Sequence, residues 1–161
     1  MSRDWTATKA PSLDDVERIA RRAYDELPEA FRALTGEILI RIADFPEDDA
    51  LAALDLDSPF DLLGLFQGVG MAHGSAAPFT GQLPNAIWLY RRPILDYWCE
   101  TEETLEEIIT HVLIHEIGHH FGLSDDDMEA IEAAASCRLP SSVRPGGGRV
   151  QKKPRTIARP G

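Results

Sequence analysis

His115-Glu116-Ile117-Gly118-His119-His120-Phe121-Gly122-Leu123-Ser124-Asp125 is the stretch that decides how the rest of this sequence is read. The apolar residues before and within it imply a helix. Four helical residues rotate the chain by about 400°, so His115 and His119 stand about 40° apart on one face and about 6 Å apart along the axis. Two imidazoles so placed can share one metal ion. A catalytic Zn²⁺ takes three protein ligands and keeps a fourth position for water, whose pKa falls from ~15.7 to ~7 on binding. Glu116, about 100° round the helix from His115, can accept that water's proton and pass it to a leaving group, which makes it the candidate general base and acid.

The third ligand has to come from beyond the helix. Gly122 can take a positive φ and end the helix as a left-handed cap, so that the chain turns back and Asp125 approaches the metal. The full string is HExxHxxGxxD. The bare pentamer arises by chance in unrelated sequences, whereas pentamer, stop glycine and acid in register is far more specific. The expected donor set is therefore His115, His119 and Asp125 around one Zn²⁺. Asp126 and Asp127, in the first turn of the following helix, suit its dipole and compete with Asp125 if the turn is shifted.

Charge and length limit the function classes. The 161 residues make one domain, large enough to bury a core without disulfides. The net charge of −11 hides an asymmetry: residues 137–161 hold seven Lys and Arg and no acid, which leaves nine against 27 acids, or −18, in residues 1–136. An acidic body repels nucleic acid and excludes it as a partner except through the basic tail. Cys99 and Cys137 lie far apart without C-x-x-C spacing, and neither is expected to hold zinc. The N-terminus has no apolar run of signal length and no stretch suits a membrane span, so a cytoplasmic chain with reduced thiols is expected.

Residues 1–11 read as a flexible arm. Ser12 caps a helix whose apolar stripe is Leu13, Val16, Ile19, Ala20, Ala23 and Tyr24; Pro28 breaks it, and Glu29 to Leu34 continue to Gly36. Glu37 to Phe45 alternates as a strand, with Ile38, Ile40 and Ile42 on one face. Ala50 to Leu54 is a short helical piece, and Phe60 to Phe66 a short second strand. A loop punctuated by Gly68, Gly70, Gly74, Pro78, Gly81 and Pro84 contains His73, a loop histidine that could touch substrate. Asn85 to Arg92 is a strand with Ile87 and Leu89 on one face and Trp88 and Tyr90 on the other; the flanking Pro84 and Pro93 suggest a sheet edge, to which an extended peptide could add.

Thr101 is the expected N-cap of the metal helix, with Thr104 the alternative start. Leu105, Ile108 and Val112 share the histidine face, and Ile109, Leu113, Ile114, Ile117 and Phe121 cover the back, so this helix is buried from several sides. His111 and His120 read as supporting or packing residues. Asp125 to about Ser136 forms the last helix, with Met128 packing under the site. From residue 137 the composition turns to Pro, Gly, Ser and basic residues, and a disordered tail is expected.

With these residues in view, the chain resembles the small bacterial zincin-like metallopeptidases, formerly a domain of unknown function. The resemblance rests on a helix, short strands, Leu83-Pro84-Asn85-Ala86-Ile87-Trp88-Leu89-Tyr90-Arg91-Arg92-Pro93 and then the HEIGHHFGLSD string, and covers roughly residues 12–136. It implies an α+β, minimal zincin-like fold: a small mixed sheet packed on helices with a buried HExxH helix. It also implies peptide-bond hydrolysis, with His115 and His119 as ligands, Glu116 as catalytic carboxylate and Asp125 as third ligand. Metzincins are similar in spacing, but they carry His where this chain has Asp125 and add a separate methionine turn.

Three functions stay open at this point. One is a zinc peptidase acting on peptides or proteins, with Tyr90 or His73 helping to stabilise the tetrahedral intermediate. Another is a metal-dependent RNA hydrolase using the basic tail, against which Glu116 and the acidic body argue. The last is a non-catalytic binding or adaptor protein that keeps the metal helix for stability. Oligomeric state is not readable from the chain.

Overall fold

Ser12 opens α1 (Leu13–Glu26) through a capping box: its hydroxyl accepts the Asp15 N–H and the Asp15 carboxylate accepts the Ser12 N–H. The computed structural model describes residues 4–68 and 84–136. Pro28 separates α1 from α2 (Glu29–Thr35), which stops at Gly36 in the left-handed region, φ +60°. The chain continues as β1 (Ile38–Ala43), α3 (Asp48–Ala53), a 3₁₀ turn (Pro59–Asp61), β2 (Gly64–Gln67), β3 (Asn85–Tyr90), α4 (Arg91–Glu100), α5 (Leu105–His120) and α6 (Asp125–Ser136). His73, Cys137 and residues 137–161, on which the sequence also invited readings, lie outside the described residues.

The sheet is mixed and small, in the order β1-β3-β2. β1 pairs with β3 in parallel, Ile40 beside Ile87, while β2 runs antiparallel to β3, Phe66 beside Ile87. One face carries Ile40, Phe66, Ile87 and Leu89 into the main core with α1 and α5. The other places Tyr90 against Leu51 and Leu62, with Trp88 beside them. The alternation read in the two longer strands therefore holds. The α+β arrangement implied by the resemblance, a small mixed sheet packed on helices with the HExxH helix inside it, is the one observed.

Three local expectations are corrected. β3 is the central strand and not an edge: Pro84 precedes the ladder and Pro93 falls beyond it, so neither removes a pairing N–H. The edge beside α5 is β2. The strand also ends at Tyr90, because Arg91 begins α4, in which Pro93 occupies the first turn where a missing N–H costs no helical bond. Lastly, Thr104 caps α5, with Glu107 completing a capping box, while Thr101 is the C-terminal cap of α4.

Arg91 fixes the start of α4 to its surroundings, donating to the Pro11 carbonyl (2.5 Å) and to Asp44 (2.8 Å) at the end of β1. α5 is apolar all round and carries nine buried residues, so it is the axis of the core and not a surface helix. No helix among the described residues is long and apolar enough to cross a membrane.

Candidate metal centre

The site is built by two helices joined at a glycine. α5 ends at Phe121, and Gly122 (φ +76°) reverses the chain. Ser124 then caps α6: its hydroxyl accepts the Asp127 N–H, and the Asp127 carboxylate accepts the Ser124 N–H (3.1 Å) and hydroxyl (2.6 Å). Of the three aspartates, Asp127 is thus committed to the cap, and its pKa is lowered by those same bonds. Met128, fully buried, seats α6 on α5 at Gly118. A Cβ on Gly118 would stand 2.5 Å from the Met128 sulfur, so the helices approach this closely because that residue has no side chain.

From that contact α6 runs back along α5. Asp125 lies near the C-terminal end, where its charge acts on His119, and Glu132 lies further back beside His111 and His115. His111, His115 and His119 form a stripe one turn apart, with ring centroids 3.9 Å apart for the first pair and 5.6 Å for the second. Glu132 Oε1 is 3.5 Å from His115 Nε2 and in close contact with His111 Nδ1. Among the described residues, His111, His115 and Glu132 are the group whose ligand atoms converge within 4.8 Å of one another. His119 and Asp125 are not drawn into that group.

Two imidazole nitrogens and a carboxylate oxygen are a donor set suited to a divalent transition-metal ion. Glu132 Oε1 faces both His111 Nδ1 and His115 Nε2, and a cation seated among these three atoms would be held by all of them. Burial alone would raise the Glu132 pKa, but the two neighbouring imidazoles outweigh it and bring the group down to about 2. Beside the cluster is a cavity of about 170 Å³ lined by Glu26, Glu103, Glu106, Glu107, His111 and Glu132, an acidic wall that draws cations toward it.

Glu116 points elsewhere. It is 7% exposed and turned toward the sheet, where the Phe66 N–H of β2 donates to its carboxyl. Burial pushes its pKa up to about 8, and the Phe66 bond only partly opposes the rise. Tyr90 is raised to about 12, by burial first and then by the charges of Glu47 and Glu116, so it stays a neutral phenol. His119 is lowered by burial and by His115, with Asp125 opposing. His120 packs its ring 4.3 Å from Phe66, and burial likewise favours its neutral form.

A family model described as zincin-like metallopeptidase matches residues 35–135, well over half the chain. This chain belongs to that family. A comparison with curated proteins returns no match. For this zincin-like metallopeptidase, family and donor cluster together support a peptidase or hydrolase role. The HExxH residues were visible in the zincin-like sequence. Glu132 lies outside that string, and its only signal in the sequence is that it follows Asp125 by seven residues, about two helical turns, and so shares its face.

Proposed function

We propose that this chain hydrolyses peptide bonds, with one Zn²⁺ held by His115, His119 and Asp125 and the proton carried by Glu116. The observation that carries the reading is the burial of Glu116, the residue that follows His115 in α5. A carboxyl group gains nothing from an apolar setting and burying it costs stability, so its presence there marks a functional group. When bound, the ion supplies Lewis acidity toward water and the scissile carbonyl.

The chain's own residues do the rest. Glu116 takes a proton from the attacking water at its carboxylate and delivers it to the departing amine. A group whose affinity for protons is near neutrality suits both transfers. The Phe66 N–H holds the carboxyl in place. The apolar residues around α5 exclude bulk water, which strengthens electrostatic interactions at the site. β2, the antiparallel edge strand packed on α5, offers backbone groups to which an extended peptide can add, so a peptide substrate would lie along β2 rather than β3.

Fluorogenic peptide libraries incubated with the zinc-loaded full chain test this directly. Turnover is expected for the native protein. Glu116→Gln should retain zinc and lose about 10²–10⁴-fold in rate, the usual contribution of a general base. No turnover across a diverse library, or full activity in Glu116→Gln, would end the peptidase reading.

A further inference from the structure

The stripe on α5 holds one more imidazole than a single HExxH site uses, and the face of α6 opposite it carries a second carboxylate. His111, His115 and His119 follow one another at helical turns, and Asp125 and Glu132 stand about two turns apart on α6. Because α6 runs back from Gly122, the two acids meet different parts of the stripe: Asp125 acts on His119, and Glu132 contacts His111 and His115.

We infer that His111, His115 and Glu132 form a second position for a divalent transition-metal ion, joined to the HExxH position through His115. The inference rests on the preceding reading only in taking the HExxH set as the first position. Its own support is geometric: ligand atoms within 4.8 Å, Glu132 Oε1 turned to both His111 Nδ1 and His115 Nε2, and an acidic cavity at its mouth. The donors match zinc or cobalt better than calcium or magnesium, which prefer oxygen. His115 Nε2 faces Glu132 at 3.5 Å, and one ring nitrogen binds one ion. An ion in this second position therefore takes His115 away from His119, and the two positions compete.

Cobalt titration of the metal-free full chain, followed by the visible absorption of the bound ion, separates the positions. His119→Ala combined with Asp125→Asn removes the first donor set. That variant should still bind Co²⁺ with a ligand-field band, and adding Glu132→Gln should weaken its affinity at least 100-fold. Circular dichroism establishes that each variant is folded. If the alanine version is not folded, His119→Gln with Asp125→Asn keeps the ring's approximate bulk and serves instead.

A folded variant without the first set that binds no Co²⁺ overturns the inference. So does binding that Glu132→Gln and His111→Ala leave unchanged. Failure of the peptidase reading looks different: a chain that binds cobalt as described and cleaves no peptide.

Discussion

Gly118 shows how much of the site depends on one absent side chain. It is buried on α5 between His115 and His119 in sequence, and Met128 occupies the space a Cβ would need. We expect Gly118→Ala to cost about 1–3 kcal/mol by overpacking. Moving α6 outward also separates Asp125 and Glu132 from the imidazoles, so Co²⁺ affinity should fall along with the denaturation midpoint. A variant with lowered stability and unchanged affinity would mean that the close helix contact is not what sets the donors.

At this scale the sequence exposes some residues and hides others. His115, Glu116, His119 and the stop glycine are legible because one helix supplies them, and helical geometry fixes their spacing before any tertiary structure is known. Glu132 is hidden because its approach to His115 depends on the direction α6 takes after Gly122. His111 could be placed on the right face from spacing alone, but that does not tell a supporting residue from a donor. Glu132 supplies the difference.

Among the elements, α5 is set by its cap. Thr104 and Glu107 satisfy backbone donors reciprocally, whereas the Thr101 hydroxyl is buried without a partner. Thr104→Ala should therefore destabilise the fold by about 0.5–2 kcal/mol, and Thr101→Ala should change it little, as read by chemical denaturation. The reverse order would place the start of α5 at Thr101. The sequence admits both threonines because each precedes acids in a helical first turn. What decides between them is α4, which occupies the chain up to Glu100.

α4 itself was concealed by Pro93, which reads as the end of a strand. Ile94, Leu95, Tyr97 and Trp98 nonetheless have helical spacing, and all four pack into the main core. The position of β3 was concealed for a similar reason. Proline next to a strand says where pairing stops along the chain, not whether a neighbour lies on each side, and here β1 and β2 flank it.

Over the whole molecule, a small mixed sheet and α1 enclose α5, and α6 closes one side, so the histidine stripe lies where core and solvent meet. Residues 1–136 carry −18, and part of that charge lines the cavity beside the stripe. A field of this sign speeds the arrival of cations and is screened by salt, so zinc association should slow by about tenfold or more between low and high ionic strength, measured by stopped-flow with a zinc indicator. A rate independent of salt would remove the acidic wall from the path of entry.

Zinc content after dialysis is the most direct measurement of the central claim that α5 and α6 grip a divalent ion. The full chain, loaded with zinc and dialysed at pH 7 against metal-free buffer, should keep about one equivalent, because the two positions share His115 and compete for it. His115→Ala, which breaks both donor sets at once, should keep none while remaining folded. A native chain that emerges from dialysis without zinc would contradict the account.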